Sequence, residues 1–229
     1  MLARNFDAIL FDVGGVFLVP DPTVLGPLLA YHGGDEAIDA HVRAHYAAMA
    51  AKSRAGSPER DWTEYDIAYV RAVGVADDEV ALAAMVLGLT RNAYTWRFAI
   101  EENVAALREL VSHGVPVGVV SNASGQIALL LDRGAVCQLG EGPHTAVRVI
   151  IDSYLVGVAK PDPRIFDFAL EHFPGVDRSR VAYVGDSVTM DVGGARAAGL
   201  HPILIDPYDD HPEADFQRIR SLADLLRPA

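Results

Sequence analysis

The sequence predicts an α/β protein: a doubly wound, mostly parallel sheet with an all-helical cap inserted after its first strand. Three observations predict it. Five short apolar runs read as buried strands, at residues 7–12 (DAILFD), 116–121 (PVGVVS), 146–152 (AVRVIID), 181–185 (VAYVG) and 202–205 (PILI). Most lack polar alternation, the pattern of strands covered on both faces. Helical patterns separate them, and alternating strands and helices define a doubly wound core. The alternation fails once, over residues 20–98, where no convincing strand occurs.

Taken in order, the first strand ends at Asp12 and is followed by Val13-Gly14-Gly15. In the stretch after it, Trp62, Tyr65, Tyr69, Val70 and Val73 recur at helical spacing, and residues 80–89 are apolar with little relief. Aromatic stripes of this kind form cores. A structureless loop of this length does not fit a compact domain, so a helical cap over the C-terminal edge of the sheet is expected. The division is residues 1–19 and 98–229 for the core and 20–97 for the cap. Residues 101–112 and 125–133 read as helices flanking the second strand, and 164–172 as the helix before the fourth. Residues 190–198 form a helix stopped by Gly199. Ser221 and Asp224 have the spacing of a capping box.

The chain has 229 residues, 51% hydrophobic and 22% charged, with a formal net charge of −12. This composition is globular, and the acidic balance argues against a nucleic-acid or anionic-membrane partner. A small anionic substrate stays open, because a bound cation can dominate the local field. Cys137 is the only cysteine, which excludes an internal disulfide. The apolar run over residues 8–19 carries Asp12, Gly14 and Gly15, so it is not expected to act as a signal peptide. No apolar stretch approaches the roughly 20 residues of a membrane span. The expected location is cytoplasmic.

Ligands of doubly wound sheets bind beyond the carboxyl ends of the strands. Asp12 closes the first strand, Ser121-Asn122 the second, Lys160 follows the third, and Asp186 and Asp191 follow the fourth. Each has a bland alternative: a turn residue, a local cap, a surface charge, a helix N-cap. Together they deliver carboxylates, a hydroxyl and an ammonium to one crevice. Clustered carboxylates repel one another unless a hard cation is present, and oxygen ligands suit Mg²⁺. A metal beside Asp12 lets a carboxylate approach a phosphoryl group as nucleophile. Ser121 suits the phosphoryl oxygens, and Lys160 adds a compact positive charge.

The motif order hhhhD-x-x-G-V, hhhSN, K-P-D-P-x-I-F and GDS-x-x-x-D-x-x-G-A-x-x-A-G resembles the haloacid dehalogenase-like superfamily. That resemblance implies a phosphatase-type hydrolase with an aspartyl-phosphate intermediate at Asp12 and a small phosphorylated metabolite as substrate. It implies that Ser121, Asn122 and Lys160 bind substrate, Ser121 and Lys160 being catalytic with Asp12. It also implies that Asp12, the carbonyl of Gly14, Asp186 and Asp191 hold Mg²⁺, beneath a substrate-selecting cap.

One position departs from the pattern. Most phosphatases of the family carry a second aspartate, the general acid/base, where this chain has Gly14. General acid/base help is worth roughly 10²–10⁴-fold. Three alternatives stand beside a phosphatase of easily released groups. The first is a weakly active or non-catalytic binding protein. The second is a dehalogenase, against which Gly185-Asp186-Ser187 speaks. The third is a phosphonatase, which wants a Schiff-base lysine in the cap, where Lys52 is the only lysine. His41 and His45, four apart on an expected cap helix, read as packing residues, as a metal pair, or as the missing acid. Asp209-Asp210-His211 reads as a solvated loop.

Overall fold

The computed structural model describes residues 1–228. The chain forms β1 (Ala8–Phe11), β2 (Leu18–Pro20), then four helices, α1 (Pro22–Ala30), α2 (Ile38–Arg54), α3 (Thr63–Ala72) and α4 (Val80–Leu89). There follow β3 (Trp96–Ala99), α5 (Glu101–Ser112), β4 (Val117–Ser121), α6 (Ile127–Arg133), β5 (Cys137–Leu139), β6 (Thr145–Val147), β7 (Ile150–Asp152), α7 (Ser153–Val156) and α8 (Arg164–Leu170). The last part holds β8 (Val181–Gly185), a π-helical turn (Val188–Val192), α9 (Gly193–Ala197), β9 (His201–Ile205) and β10 (Gln217–Ile219).

Six strands make one parallel sheet in the order β10-β9-β8-β1-β4-β7. Ile9 and Phe11 pack with α5 and α6 on one face, while Ala8 and Leu10 pack with α8 and α9 on the other. Both faces being covered explains the unalternating apolar runs. The cap has a core of its own, in which Leu25, Leu29, Met49, Tyr65, Tyr69, Val70, Val73 and Leu87 are buried together. The aromatic stripe is therefore packing, as expected.

Four local expectations are corrected. The run at 146–152 splits: only Ile150–Asp152 joins the main sheet, and Thr145–Val147 pairs with Cys137–Leu139. The stretch expected to be free of strand ends in Trp96–Ala99, which pairs antiparallel with Leu18–Pro20. These are strands of three and four residues in a bulged two-stranded ribbon, too short to leave a periodic signal. The Ser221–Asp224 capping box does not form, because Ser221 Oγ donates to Glu102 and Asp224 accepts the Arg220 N–H. The loop at Asp209-Asp210-His211 is a docking point for the cap, not free solvated chain. Arg43 of α2 makes a two-pronged ion pair with Asp210, at 2.8 and 2.7 Å, and stacks over Tyr208.

Helix α2 ties the cap to the core at further points. Tyr46 Oη donates to the Gly15 carbonyl at 2.7 Å, and Ser53 Oγ accepts the Val188 N–H at 3.2 Å. The first of these is buried, so losing it strands a carbonyl at a cost of about 1–3 kcal/mol. Tyr46→Phe is expected to lower unfolding stability by that amount in urea titration, and to raise protease sensitivity at the cap junction.

Candidate active site

Strand β1 lies between β4 and β8, so Asp12 emerges flanked by the strands that deliver Ser121 and Asp186. A ligating oxygen from each of Asp12, Asp186 and Asp191 lies within 4.8 Å of the others, and all three residues are buried. Two glycines make this packing possible. At Gly15 (φ +63°) a Cβ would fall on the Asp186 carboxylate, and at Gly185 it would fall on that of Asp191.

Lys160 is buried, with Nζ 3.0 Å from Asp12 Oδ1 and 2.7 Å from Asp191 Oδ1. Its ammonium donates to Asp191 and to Tyr183 Oη, but sits off line for a hydrogen bond to Asp12. Asp12 Oδ1 is thus buried with an ion-pair neighbour and no hydrogen-bond donor. Asp191 Oδ2 accepts the Ser187 N–H at 2.9 Å, a contact made by the π-helical turn. Asn122 brackets the Lys160 main chain, its Oδ1 accepting at 2.8 Å and its Nδ2 donating at 3.0 Å. Ser121, Asn122, Gly14 and Lys160 all line one cavity with the acidic triad, about 500 Å³ in volume.

Burial pushes the Asp12 carboxyl up from 3.8 to about 7; Lys160 opposes this, and Asp191 and Asp186 reinforce it. Asp186 is likewise held well above the usual carboxylate range, by burial and by Asp191. Burial disfavours the Lys160 ammonium, but Asp12 and Asp191 more than offset it and hold the proton on. An orphaned buried carboxylate oxygen beside two further carboxylates is a donor set that fits a hard divalent cation. The carboxylates that would hold such a cation are Asp12, Asp186 and Asp191, the last of which also fixes Lys160.

The histidines do not line up as a metal pair. His41 donates from Nε2 to the Asp35 carbonyl and meets Tyr69 Oη through Nδ1, inside the cap. His45 reaches Asp186 Oδ2 through Nε2 at 3.0 Å and Tyr65 Oη through Nδ1 at 2.9 Å. Burial lowers its pKa to about 3, so it is neutral and no acid at neutral pH. A neutral ring donating from Nε2 to Asp186 and accepting from Tyr65 gives each atom a partner. Cys137 is buried and its thiol is pushed up to about 12, which makes it inert.

Two cap-side residues escaped the sequence reading. Trp96 lays its indole over Gly14, 3.0 Å from where a Cβ would stand. Glu59 lines the same cavity as Asp12. The only signal for Glu59 was the charged, Pro-led segment Pro58-Glu59-Arg60-Asp61 between two cap helices.

A parallel sheet whose strand ends gather a carboxylate triad and a buried lysine beneath a helical cap defines a class of hydrolase. The family model described as haloacid dehalogenase-like hydrolase matches residues 6–199. The chain belongs to that family. It is 35% identical over 140 residues to haloacid dehalogenase-like hydrolase domain-containing protein 3 of Bos taurus, covering 58% of this chain and 51% of that protein. It is 26% identical over 170 residues to glyceraldehyde 3-phosphate phosphatase of Methanopyrus kandleri, covering 69% of each. The chain spans about half to two thirds of the length of such curated relatives. The crystal structure of a HAD phosphatase from Thermococcus onnurineus superposes with TM-score 0.57 at 23% identity over 95% of both chains, a likeness of fold. Among the described residues, no helix is long and apolar enough to cross a membrane.

The raised carboxyls have a consequence for stability. Asp12 keeps its proton to about pH 7 in the folded chain, whereas the unfolded chain releases it near 3.8. The folded state therefore binds more protons between those values, and metal-free stability falls as pH rises through that window. Asp186→Asn removes one buried carboxyl whose ionisation burial and Asp191 disfavour. It is expected to raise the metal-free melting temperature at pH 7.5 and to abolish the gain that Mg²⁺ gives the native protein, both read by thermal shift in EDTA and in Mg²⁺.

Proposed function

We propose that the protein is a Mg²⁺-dependent phosphatase of small phosphorylated metabolites, acting in the cytoplasm through an aspartyl-phosphate intermediate at Asp12. The observation that carries this reading is Asp12, a cavity-lining residue whose buried Oδ1 has no hydrogen-bond donor and lies 3.0 Å from the Lys160 ammonium. A carboxylate placed so can give one oxygen to a cation and the other to phosphorus. Lys160, locked between Asp191 and Tyr183, holds a fixed positive charge where phosphoryl oxygens would gather. Ser121 donates to those oxygens, and Asn122 serves substrate binding by fixing the main chain of Lys160. Mg²⁺, when bound, supplies the charge that lets a carboxylate and a phosphoryl group approach each other. Residues 20–97, as the cap, select the substrate.

The glyceraldehyde 3-phosphate phosphatase among the relatives supports a phosphate ester as substrate. The state of Lys52 argues against a phosphonatase. Its ammonium is buried and donates to the carbonyls of Pro58, Glu59 and Asp61, so it is committed to holding a loop.

Phosphate release from a panel of phosphate esters is expected to stop in EDTA and to return with Mg²⁺. Asp12→Asn keeps the shape and removes the attacking charge. Turnover is expected to fall by roughly 10⁴-fold or more, the scale of nucleophile deletions, with the fold intact by circular dichroism. Full phosphate release by metal-free protein, or by Asp12→Asn free of deamidation, would overturn the assignment.

A further inference from the structure

The phosphatase reading leaves the proton transfers without a residue. Gly14 has no side chain, and the space beside it belongs to the Trp96 ring. His41 is spent inside the cap, and His45 is buried with both ring nitrogens taken, by Asp186 and by Tyr65. Lys160 keeps its proton between two carboxylates. Among the described residues lining the cavity, the one carboxyl outside the acidic triad is Glu59.

Glu59 stands on a loop that is built, not loose. Lys52, fully buried on α2, donates to the carbonyls of Pro58 at 2.8 Å and Glu59 at 3.3 Å, and to that of Asp61. The same ammonium lies 4.6 Å from the centre of the Trp62 ring. Asp61 accepts the Thr63 N–H at 3.0 Å and so starts α3 where the loop ends. Burying an ammonium is costly unless its donors are satisfied, and here they are satisfied by three carbonyls of one short turn. That turn holds the Glu59 side chain at the cavity wall.

We propose that Glu59 is the general acid and base of this enzyme, supplied by the cap in place of the side chain that Gly14 lacks. The proposal rests on the aspartyl-phosphate reading above. As Asp12 forms its bond to phosphorus and the ester P–O bond breaks, the Glu59 carboxylic acid gives its proton to the departing oxygen, and the alcohol leaves. The resulting Glu59 carboxylate then takes a proton from a water whose oxygen attacks the same phosphorus. The P–O bond to Asp12 breaks, inorganic phosphate departs, and Asp12 carboxylate and Glu59 acid are both restored.

The surroundings suit the role. Burial raises the pKa of Glu59, with Asp12 acting in the same direction, while Lys160, the Asn122 amide and Lys52 pull it back. The Glu59 charge in turn adds to the repulsion that raises Asp186. A carboxyl so balanced keeps its proton nearer neutral pH than a solvated glutamate does, as a general acid requires. Because the acid stands on the cap, the proton donor is in place only with the cap seated on the core as it is here.

Glu59→Gln tests this, assayed beside the native protein with Mg²⁺ on an alkyl phosphate and on p-nitrophenyl phosphate. The alkyl ester is expected to lose about 10²–10⁴-fold in kcat/KM. The aryl ester, whose leaving group needs no proton, is expected to lose less than about tenfold in kcat/KM and to show a burst of p-nitrophenol as aspartyl phosphate accumulates. The high-pH limb of kcat/KM for the alkyl ester is expected to vanish. Unchanged alkyl turnover, or an equal loss on both esters with no burst and the same pH profile, overturns the proposal. Thermal shift and Mg²⁺ affinity of the variant show whether such an equal loss reflects misfolding, and Glu59→Asp, which keeps the carboxyl, is then expected to recover part of the alkyl activity. A native protein that releases phosphate from no ester overturns the phosphatase reading, and the proposal with it.

Discussion

Three carboxylates, Asp12, Asp186 and Asp191, share one buried crevice, and the ammonium paired with them is that of Lys160. Two unit charges 4 Å apart interact by about 4 kcal/mol at an effective dielectric near 20. One lysine therefore cannot neutralise three carboxylates so close together. The metal-free chain responds as electrostatics demands: burial and mutual repulsion push the Asp12 and Asp186 carboxyls upward. The rest of the site serves this imbalance. Gly15 and Gly185 give the carboxylates room, and the Ser187 N–H and Tyr183 hold Asp191 against Lys160. His45 reaches down from the cap to Asp186. On the proposed reading, the group that meets a phosphoryl anion stands in surroundings that want a cation.

The cap does more than cover. Helix α2 carries Arg43, His45, Tyr46, Lys52 and Ser53, and each makes a distinct contact: to Asp210, to Asp186, to the Gly15 carbonyl, to the loop at residues 58–61, and to the Val188 N–H. Three of those contacts are with the segments that follow β1 and β8. Cap position and the geometry of the carboxylates are therefore coupled through one rigid helix, and the crevice is complete only with the cap seated.

Much of this was legible in the sequence. Strand runs such as VAYVG and the carboxyl-end residues Asp12, Ser121 and Asp186 were readable because burial on both faces leaves an unbroken apolar signature with a polar residue at its end. The cap core was readable from the helical spacing of Tyr65 and Tyr69. What escaped depends on tertiary contact. β10 and the β2–β3 ribbon are strands of three or four residues, too short for periodicity to register. The role of Lys52 as a loop holder follows only once Pro58, Glu59 and Asp61 fold back on it. Trp96 and Gly14 are 82 positions apart, and nothing local says that an indole occupies the space a side chain at Gly14 would need. His45 was visible as a cap histidine, but its neutrality comes from burial that one sequence does not display.

The central claim is that Asp12 forms a covalent bond to phosphorus in a site that needs a cation. Rapid acid quench during turnover of a phosphate ester, followed by mass mapping of the peptide that contains Asp12, tests it most directly. The account predicts a phosphoryl group on Asp12 in Mg²⁺ and none in EDTA. A phosphoryl group on another residue, or turnover in Mg²⁺ with Asp12 unmodified at every quench time, would contradict it.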